Sequence, residues 1–252
     1  MCVLALAWKS HPRWQLVLAG NRDEFHARPA AALARWDDPS GIIAGRDLQS
    51  GGTWLGVSDM GRLVVVTNLR GHGGPDPEKA SRGALVAGLL TGDGPYADPA
   101  TAPLQDFNPF NLIRADGQGA TFLSNRPGDI RTSLSHGVYG LSNGALDEPW
   151  PKTLQIKSGL TDWLAQDSGD IEQLFALLRT EGQPHIGIAP ATPSEVTQEP
   201  ALSTIFIHNP VYGTRCSTVV TVDAQGQGQI AERRYDATGT VTGETRIDFH
   251  WR

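Results

Sequence analysis

A cysteine at position 2 is the residue of this chain with the clearest chemical potential, and Cys216 is the only other cysteine in 252 residues. If Met1 is removed, Cys2 carries a thiol and a free α-amine, which are a nucleophile and a base on one residue. An α-amine has a reference pKa of about 7.7 to 8.0, so it is neutral near pH 7 with far less adjustment than a lysine needs. The combination predicts acyl-transfer chemistry at Cys2.

A hairpin is expected to hold charged residues beside this cysteine. Residues 2–8 and 14–21 are strand-like, and the turn residues 10–13 between them predict an antiparallel pair. This geometry places the start of the first strand beside the end of the second, where residues 21–24 carry polar and charged side chains. The hairpin therefore predicts charges next to the thiol without any long-range assumption.

The charged segment consists of Asn21, Arg22, Asp23 and Glu24. Arg22 is expected to lower the pKa of the thiol by its charge and by hydrogen bonding. Asp23 is expected to accept a hydrogen bond from the α-ammonium or to fix Arg22. Asn21 and Glu24, together with Trp54, are expected to contact substrate. Taken alone, such a run is typical of a solvated strand end, and its coupling to Cys2 favours the site.

Three later residues are candidates to complete the site. Asn68 and Asn143 each end a predicted strand, and their amides could donate to a developing oxyanion. The alternative is a strand-terminating turn residue, above all for Asn143, which precedes a glycine. Arg215 begins a predicted strand and could add its charge. Strand alternation predicts that Cys216 points to the opposite face as a buried packing residue.

The elements that must position these residues are strands, then helices, then strands. Strands are predicted over 41–46, 53–58, 62–68, 110–115, 120–124, 138–142, 203–208, 215–222, 229–235 and 244–249. Helices are predicted over 81–90, 152–164 and 171–178, and a long loop over 182–202. No linker or repeat divides the chain. We therefore predict one α+β domain over residues 1–252, with two mostly antiparallel sheets between helical layers.

Composition excludes several classes of function. The formal net charge is -6 and the 21 basic residues are scattered, so no nucleic-acid partner is expected. No apolar run reaches the roughly 18 residues of a membrane span, which predicts a cytoplasmic protein without a transmembrane segment. The histidines and cysteines lack ligand spacing, so no metal site is predicted. A structural disulfide is not expected in a cytoplasmic protein.

Several sequence blocks together resemble the NRDE family, also called the transport and Golgi organisation protein 2 family. The blocks are Cys2, Asn21-Arg22-Asp23-Glu24, Gly51-Gly52-Thr53-Trp54-Leu55-Gly56-Val57, Thr67-Asn68-Leu69-Arg70, Gly140-Leu141-Ser142-Asn143 and Tyr212-Gly213-Thr214-Arg215. They run from residue 2 to about 222, nearly the whole chain. The tetrad alone would be a weak signal, whereas the order and spacing of all blocks are specific.

The resemblance implies a four-layer αββα sandwich, similar to N-terminal nucleophile hydrolases such as penicillin V acylases and bile-salt hydrolases. Carried over by motif, Cys2 would be nucleophile and amine base, with Arg22 and Asp23 as electrostatic partners. Asn68 and Asn143 would be oxyanion or amine-orienting groups, and Arg215 a late arginine of the site. The resemblance also links the family with haem trafficking and with lipid or acyl-CoA metabolism, and it delivers no agreed substrate.

Three functions follow as hypotheses. The first is hydrolysis of a linear amide or thioester of a small or acyl-chain substrate, which requires no cofactor. The second is a non-catalytic protein that binds or traffics haem or an acyl lipid, with Trp36, Trp54 and Phe110 lining a pocket. The third is an interaction module, which requires an exposed apolar patch.

Overall fold

Two antiparallel sheets make up the centre of the computed structural model, which describes residues 2–38, 40–191 and 204–251. The first sheet has six strands, in spatial order β10 (Gly137–Leu141), β1 (Cys2–Trp8), β2 (Trp14–Phe25), β11 (Tyr212–Asp223), β12 (Gln227–Tyr235) and β13 (Val241–His250). The second has seven, in the order β3 (Ala30–Arg35), β4 (Ile42–Asp47), β5 (Leu55–Ser58), β6 (Arg62–Asn68), β7 (Phe110–Asp116), β8 (Ala120–Ser124) and β9 (Ile130–Ser133).

Strand β1 shows why the sheets have partners on both faces, since all seven of its residues are buried. Alternate side chains of a strand point to opposite faces. Leu4, Leu6 and Trp8 face the second sheet in the main core, whereas Val3 and Ala5 face the helical layer. A strand covered on both sides reads as a continuous apolar run, which is what the sequence shows.

Helices cover the outer faces of both sheets. Helices α2 (Pro151–Gln166) and α3 (Ile171–Leu178) pack on the first sheet, and α1 (Arg82–Thr91) packs on the second. Proline at the first position starts α2, and the Asp170 carboxylate caps α3 by accepting from the Glu172 amide at 2.9 Å. The layers are helix, sheet, sheet and helix, which confirms the predicted αββα sandwich. In the described part of the chain, no helix combines the length and the apolar character that crossing a membrane requires.

Two strands were not predicted and one predicted strand is wrong. β3 and β9 are edge strands whose residues are largely exposed, so they lack the apolar alternation that marks a buried strand. Residues 204–208 form no strand, although Ile205, Phe206 and Ile207 are buried. These apolar side chains cover the first sheet beside the end of α3 instead of joining a ladder, with the Phe206 amide donating to the Thr180 carbonyl at 2.9 Å.

The predicted loop over 182–202 falls partly outside the described residues. Residues 182–191 contain no helix or strand, as expected, and residues 192–203 lie outside the described ranges. The same holds for Ser203, the first residue of the strand predicted over 203–208.

Candidate active site

The hairpin of β1 and β2 places Cys2 directly opposite Arg22. Their Cα positions are paired in the antiparallel register, and both side chains lie on the face of the first sheet that looks toward the second. Cys2 is 9% exposed and lies at the margin of a large cleft. The placement follows from the short turn between the strands, as the sequence predicted.

Both main-chain polar groups of Cys2 are held by the residues that follow β10. The Cys2 main-chain nitrogen donates to Asn143 Oδ1 at 3.4 Å, and Ser142 Oγ donates to the Cys2 carbonyl at 2.8 Å. Asn143 is 1% exposed, and its Nδ2 donates to the Asn68 carbonyl at 2.8 Å. The Asn143 amide is therefore fixed at both ends, with its oxygen directed at the nitrogen of Cys2.

The two predicted asparagines meet because the ends of β6 and β10 are tied together across the two sheets. Thr67 Oγ1 donates to the Ser142 carbonyl at 2.6 Å, and the Arg70 amide donates to the Asn143 carbonyl at 2.8 Å. Asn68 lies between these ties and is exposed to the cleft. The site is thus built from both sheets.

Arg22 takes part in an ion network that reaches the second sheet. Its Nη2 donates to Asp47 Oδ2 at 3.3 Å and lies 3.7 Å from Glu24 Oε2. Arg28 Nε binds the same Asp47 oxygen at 2.7 Å. Burial raises the pKa of Asp47, but hydrogen bonds from Arg28 and the Ser50 amide and the nearby arginine charges outweigh it, so the pKa lies below its ordinary value.

The expected lowering of the Cys2 pKa is not what the structure gives. Burial has the largest effect and raises the pKa of the thiol. The positive charge of the N-terminal amine partly offsets burial, and the charge of Asp23 raises the pKa further. A hydrogen bond from the Asp23 main chain and the charge of Arg22 act in the opposite direction, with less effect. Because the guanidinium of Arg22 is directed at Asp47 and Glu24, it does not offset the desolvation of the thiol.

Asp23 is held by strand β11 on the other side of the hairpin. Thr214 Oγ1 donates to Asp23 Oδ1 at 2.7 Å, and the Tyr212 hydroxyl donates to the Asp23 carbonyl at 2.9 Å. Asp23 is 3% exposed and lines the cleft. No local pattern predicts this role for Thr214 and Tyr212, since their strand pairs with β2 over a separation of about 190 residues.

The cleft has a volume of about 720 Å³ and joins most of the predicted residues. The predicted residues that line it are Cys2, Arg22, Asp23, Glu24, Trp54, Asn68 and Asn143. Its wall also includes Leu69 and Val66, and the charged side chains of Arg70, Lys79 and Arg82. The cleft therefore combines an apolar surface with charges of both signs, since Asp23, Glu24, Asp47 and Asp76 also line it.

Asn21 does not line the cleft, so the prediction that it contacts substrate there is wrong for this structure. It is fully buried, and its Nδ2 donates to the Leu178 and Ile205 carbonyls, each at 2.8 Å. The physical reason is strand alternation, which directs Asn21 to the helical side while its neighbour Arg22 faces the second sheet. Asn21 anchors the end of α3 to the sheet.

Arg215 lies outside the cleft, in a second cavity of about 240 Å³ that Cys216 also lines. Its Nη1 donates to the carbonyls of Phe25 at 2.8 Å and Arg28 at 3.0 Å. The prediction that Cys216 points away from Arg215 is wrong, because the register shifts between Thr214 and Cys216 and interrupts the alternation. Cys216 is buried, as predicted.

Arg28 and Asp47 are charged residues of the cleft that the sequence did not nominate. Asp47 precedes a Ser-Gly-Gly turn, where an aspartate is expected to cap the turn. It does so, with Oδ1 accepting from the Gln49 and Ser50 amides at 3.0 and 2.9 Å. Its Oδ2 binds Arg22 and Arg28, and no local sequence pattern predicts this second role.

The aromatic residues divide between the cleft and the core. Trp54 lines the cleft, whereas Phe110 is fully buried in the core beneath α1. Trp36 lines neither cavity, and its Nε1 donates to the Ala44 carbonyl at 3.2 Å. The predicted pocket role is therefore wrong for Trp36 and Phe110, because both side chains pack in the apolar cluster beneath α1.

The described lining offers little to haem iron or to another metal. Its residues include no histidine, and the candidate axial ligands are the buried Cys2 thiol and the Tyr212 hydroxyl, which already donates to Asp23. Within residues 2–38, 40–191 and 204–251, no three His, Cys, Asp or Glu side chains are grouped to hold a metal ion. These residues do not fit an iron centre, and no step of the chemistry below involves one.

Solved structures share the sandwich at low sequence identity. A crystal structure of the C2A mutant of conjugated bile acid hydrolase from Clostridium perfringens aligns with a TM-score of 0.53 and 9% identity, over 98% of this chain and 92% of that chain. The Caenorhabditis elegans ortholog of N-acylethanolamine-hydrolyzing acid amidase aligns with a TM-score of 0.51 and 13% identity, over 86% of this chain and 92% of that one. At these identities the likeness shows the fold.

Curated relatives and a family model show the family. The relatives include the Transport and Golgi organization protein 2 homologs of Bos taurus, 32% identical over 97% of each chain, and Homo sapiens, 31% identical over 92% of each. The Drosophila melanogaster Transport and Golgi organization protein 2 is 27% identical over 96% of this chain and 93% of that one. The family model described as Transport and Golgi organisation 2 matches residues 1–237. The chain therefore belongs to the transport and Golgi organisation 2 family, and it shares its fold with the two solved structures.

Proposed function

We propose that the protein hydrolyses a linear amide or thioester of a small or acyl-chain substrate, with Cys2 as nucleophile after removal of Met1. The observation that carries this proposal is the position of Cys2, at the margin of the 720 Å³ cleft with its main-chain nitrogen bound to Asn143 Oδ1. That nitrogen would be the free α-amine of the processed chain. A thiol, an amine and an acceptor for the ammonium would then stand together.

The raised pKa of the thiol suits a proton shuttle within one residue. A neutral thiol transfers its proton to the α-amine as Sγ attacks the substrate carbonyl, forming a tetrahedral oxyanion. Collapse of this intermediate breaks the bond to the leaving amine or thiol, which takes the proton from the ammonium. Water then attacks the resulting thioester, the amine accepts a water proton, and the acid leaves as the Cys2 thiol is restored.

The contacts of the two asparagines favour different roles for them. Asn143 Nδ2 already donates to the Asn68 carbonyl, so Asn143 serves to orient the Cys2 amine through its oxygen. The side chain of Asn68 is exposed to the cleft and is the candidate oxyanion donor. Arg22 and Asp23 set the local field, while Trp54 and Glu24 contact the bound compound.

The lining of the cleft narrows the class of substrate. Trp54, Val66 and Leu69 offer apolar surface to an acyl chain, and Arg70, Lys79 and Arg82 add positive charge on the same wall. A small acyl compound with a polar or anionic leaving group matches both features. In the alternative function, the same cleft binds or carries an acyl lipid or haem and leaves it unchanged.

Intact mass of the purified protein, before and after exposure to a short-chain acyl thioester, tests the proposal. We expect wild type to lack Met1 and to gain one acyl group, and we expect Cys2→Ala to gain none. A form that keeps an uncleaved tag before Met1 should also fail to react, because it has no free amine at Cys2. Cys216→Ala is the matched control and should react like wild type. Equal acylation of Cys2→Ala would sink the proposal, and thioester binding without turnover by the processed wild type would favour the carrier.

A further inference from the structure

A second cavity lies between the two sheets and shares a wall with the cleft. Its volume is about 240 Å³, and Arg22, Asp47, Thr53 and Trp54 line both spaces. A compound in this second cavity would contact the same arginine that stands opposite Cys2. The two cavities are therefore adjacent, and a compound bound in either one can contact Arg22.

The lining of the second cavity has more positive than negative groups. Four arginines line it, Arg22, Arg46, Arg215 and Arg234, against two acidic residues, Asp47 and Glu232. The Arg46 guanidinium is turned to Trp36, 4.3 Å from the ring centre. Asp47 is already bound to Arg22 and to Arg28, which lies outside this cavity. Glu232 is 5% exposed, and its Oε1 accepts from the Leu33 amide at 2.8 Å.

Two of the arginines have unused hydrogen-bonding capacity. Among the described residues, the Arg234 side chain makes no hydrogen bond and no ion pair within 4.0 Å, although it is half-buried and its charge acts on the nearby Glu232 carboxyl group. Arg215 bonds through Nη1 alone to partners in the described chain, which leaves its Nε and Nη2 available. Half-buried guanidinium groups normally have an acceptor, because their charge is costly to desolvate without one. The Arg234 guanidinium therefore has no hydrogen-bond acceptor among the described residues, and Arg215 can bind a further acceptor.

Small residues form part of the cavity wall on the second sheet, beside Arg46, Asp47 and Trp54. Ala30, Ala31 and Gly45 line it, and a Cβ at Gly45 would lie 3.1 Å from Glu232 Oε2 and 3.2 Å from the Ala31 carbonyl. The missing side chain at residue 45 helps to keep the cavity open beside the guanidinium groups. A planar or tetrahedral oxyanion is the group that two guanidinium forks recognise best.

We propose that the second cavity binds an oxyanion group, a carboxylate or a phosphate, between Arg234 and Arg215. The group could arrive as a free anion or as the acidic end of a compound whose remainder lies in the cleft. Both sources present the same chemistry to the two arginines. The proposal does not rest on hydrolysis at Cys2, because an anion can bind here whether or not the thiol reacts.

The test titrates inorganic phosphate into the full-length Cys2→Ala protein at constant ionic strength, with chloride as the balancing ion. Isothermal calorimetry and ³¹P line broadening report binding directly. We expect saturable binding of one phosphate, weakened at least tenfold by Arg234→Gln. Arg246→Gln is the matched control, since Arg246 lies on β13, the strand paired with that of Arg234, but binds Glu172 and Glu244 instead of lining the cavity. Absence of saturable binding, or equal binding by Arg234→Gln with a native circular dichroism spectrum, would overturn the proposal.

A second arm distinguishes the two sources of the anion. Wild type is acylated with two thioesters of equal chain length, one of which ends in a carboxylate. If the acidic end enters the second cavity, phosphate should slow acylation by the carboxylate compound at least fivefold more than acylation by the neutral one. If the site takes a free anion, phosphate should bind and affect both compounds equally. The calorimetric result decides the proposal even when neither thioester reacts.

Discussion

Arg22 is paired with Cys2 across two adjacent strands, yet its guanidinium donates to Asp47 of the other sheet at 3.3 Å. The Arg22 guanidinium is thus oriented by Asp47 of the second sheet, and Asp47 also caps the turn after β4. A contact between the sheets therefore sets the electrostatic surroundings of the proposed nucleophile.

Replacement of Asp47 by Asn should destabilise the protein, because it removes the shared acceptor of Arg22 and Arg28. We expect the free energy of unfolding to fall by about 1.5 to 3 kcal/mol, the range for hydrogen bonds to charged groups. Urea denaturation measures the change. Asp59→Asn is the control, because its ion pair with Arg35 is exposed and should contribute less than about 1 kcal/mol.

The contribution of Asp47 should also depend on pH. Its pKa in the folded protein lies below the unfolded value of about 3.9, so the ionised form stabilises the fold above that pH. The stability lost in Asp47→Asn should be constant from pH 5 to 8 and should shrink as the pH falls through the folded pKa. A difference that stays constant down to pH 3 would contradict this assignment.

Replacement of Asn143 should separate its two hydrogen bonds. Asn143→Asp keeps an acceptor for the Cys2 nitrogen but loses the donor to the Asn68 carbonyl, whereas Asn143→Ala loses both. We expect Asn143→Ala to cost about 1 to 3 kcal/mol, since buried groups are left without partners. Acylation of Cys2 should slow at least tenfold in Asn143→Ala and less in Asn143→Asp. Equal acylation rates in both variants would show that the Asn143 oxygen does not orient the Cys2 nitrogen.

Alkylation of Cys2 by iodoacetamide should require alkaline conditions. Burial raises the pKa of this thiol, so the midpoint of the rate against pH should lie above the value of about 8.5 for a free cysteine. The measurement uses Cys216→Ala, in which Cys2 is the single thiol, with peptide mapping of the adduct. A midpoint below 8 would show that Arg22 stabilises the thiolate after all.

Haem binding has its own test, because the described lining of the cleft contains no histidine. If haem binds there through its iron, Cys2 is the available thiolate ligand, and Cys2→Ala should shift the position of the absorption band. Titration of wild type and Cys2→Ala with haem measures both affinity and band position. Saturable haem binding with the same band position in the two proteins would show that Cys2 does not ligate the iron. Absence of saturable binding would exclude the haem-binding alternative.

Local patterns were sufficient for the hairpin that joins Cys2 to Arg22. A connection of five residues between two strands leaves one simple arrangement, so the closeness of these residues followed from the sequence. Asn68 and Asn143 were nominated by their places at strand ends, which is where site residues tend to lie. Their different contacts with Cys2 were not accessible, because they depend on how the two sheets close on each other.

Other parts of the site depend on contacts between distant segments. The register shift before Cys216 moves Arg215 into the second cavity, and a regular alternation cannot anticipate such a bulge. Asn21 and Arg22 are neighbours that belong to opposite faces, so a charged run read as one unit was bound to include a residue of the wrong face. Asp47 was hidden by its local role in a turn.

The tie between Cys2 and Asn143 has a consequence for the newly synthesised chain. Cys2 leaves the ribosome before its acceptor Asn143, which follows 141 residues later. Thr214, which holds Asp23, follows that residue by 191 positions. The thiol therefore emerges without the groups that would make it a competent nucleophile, and it acquires them when the late strands close the sandwich.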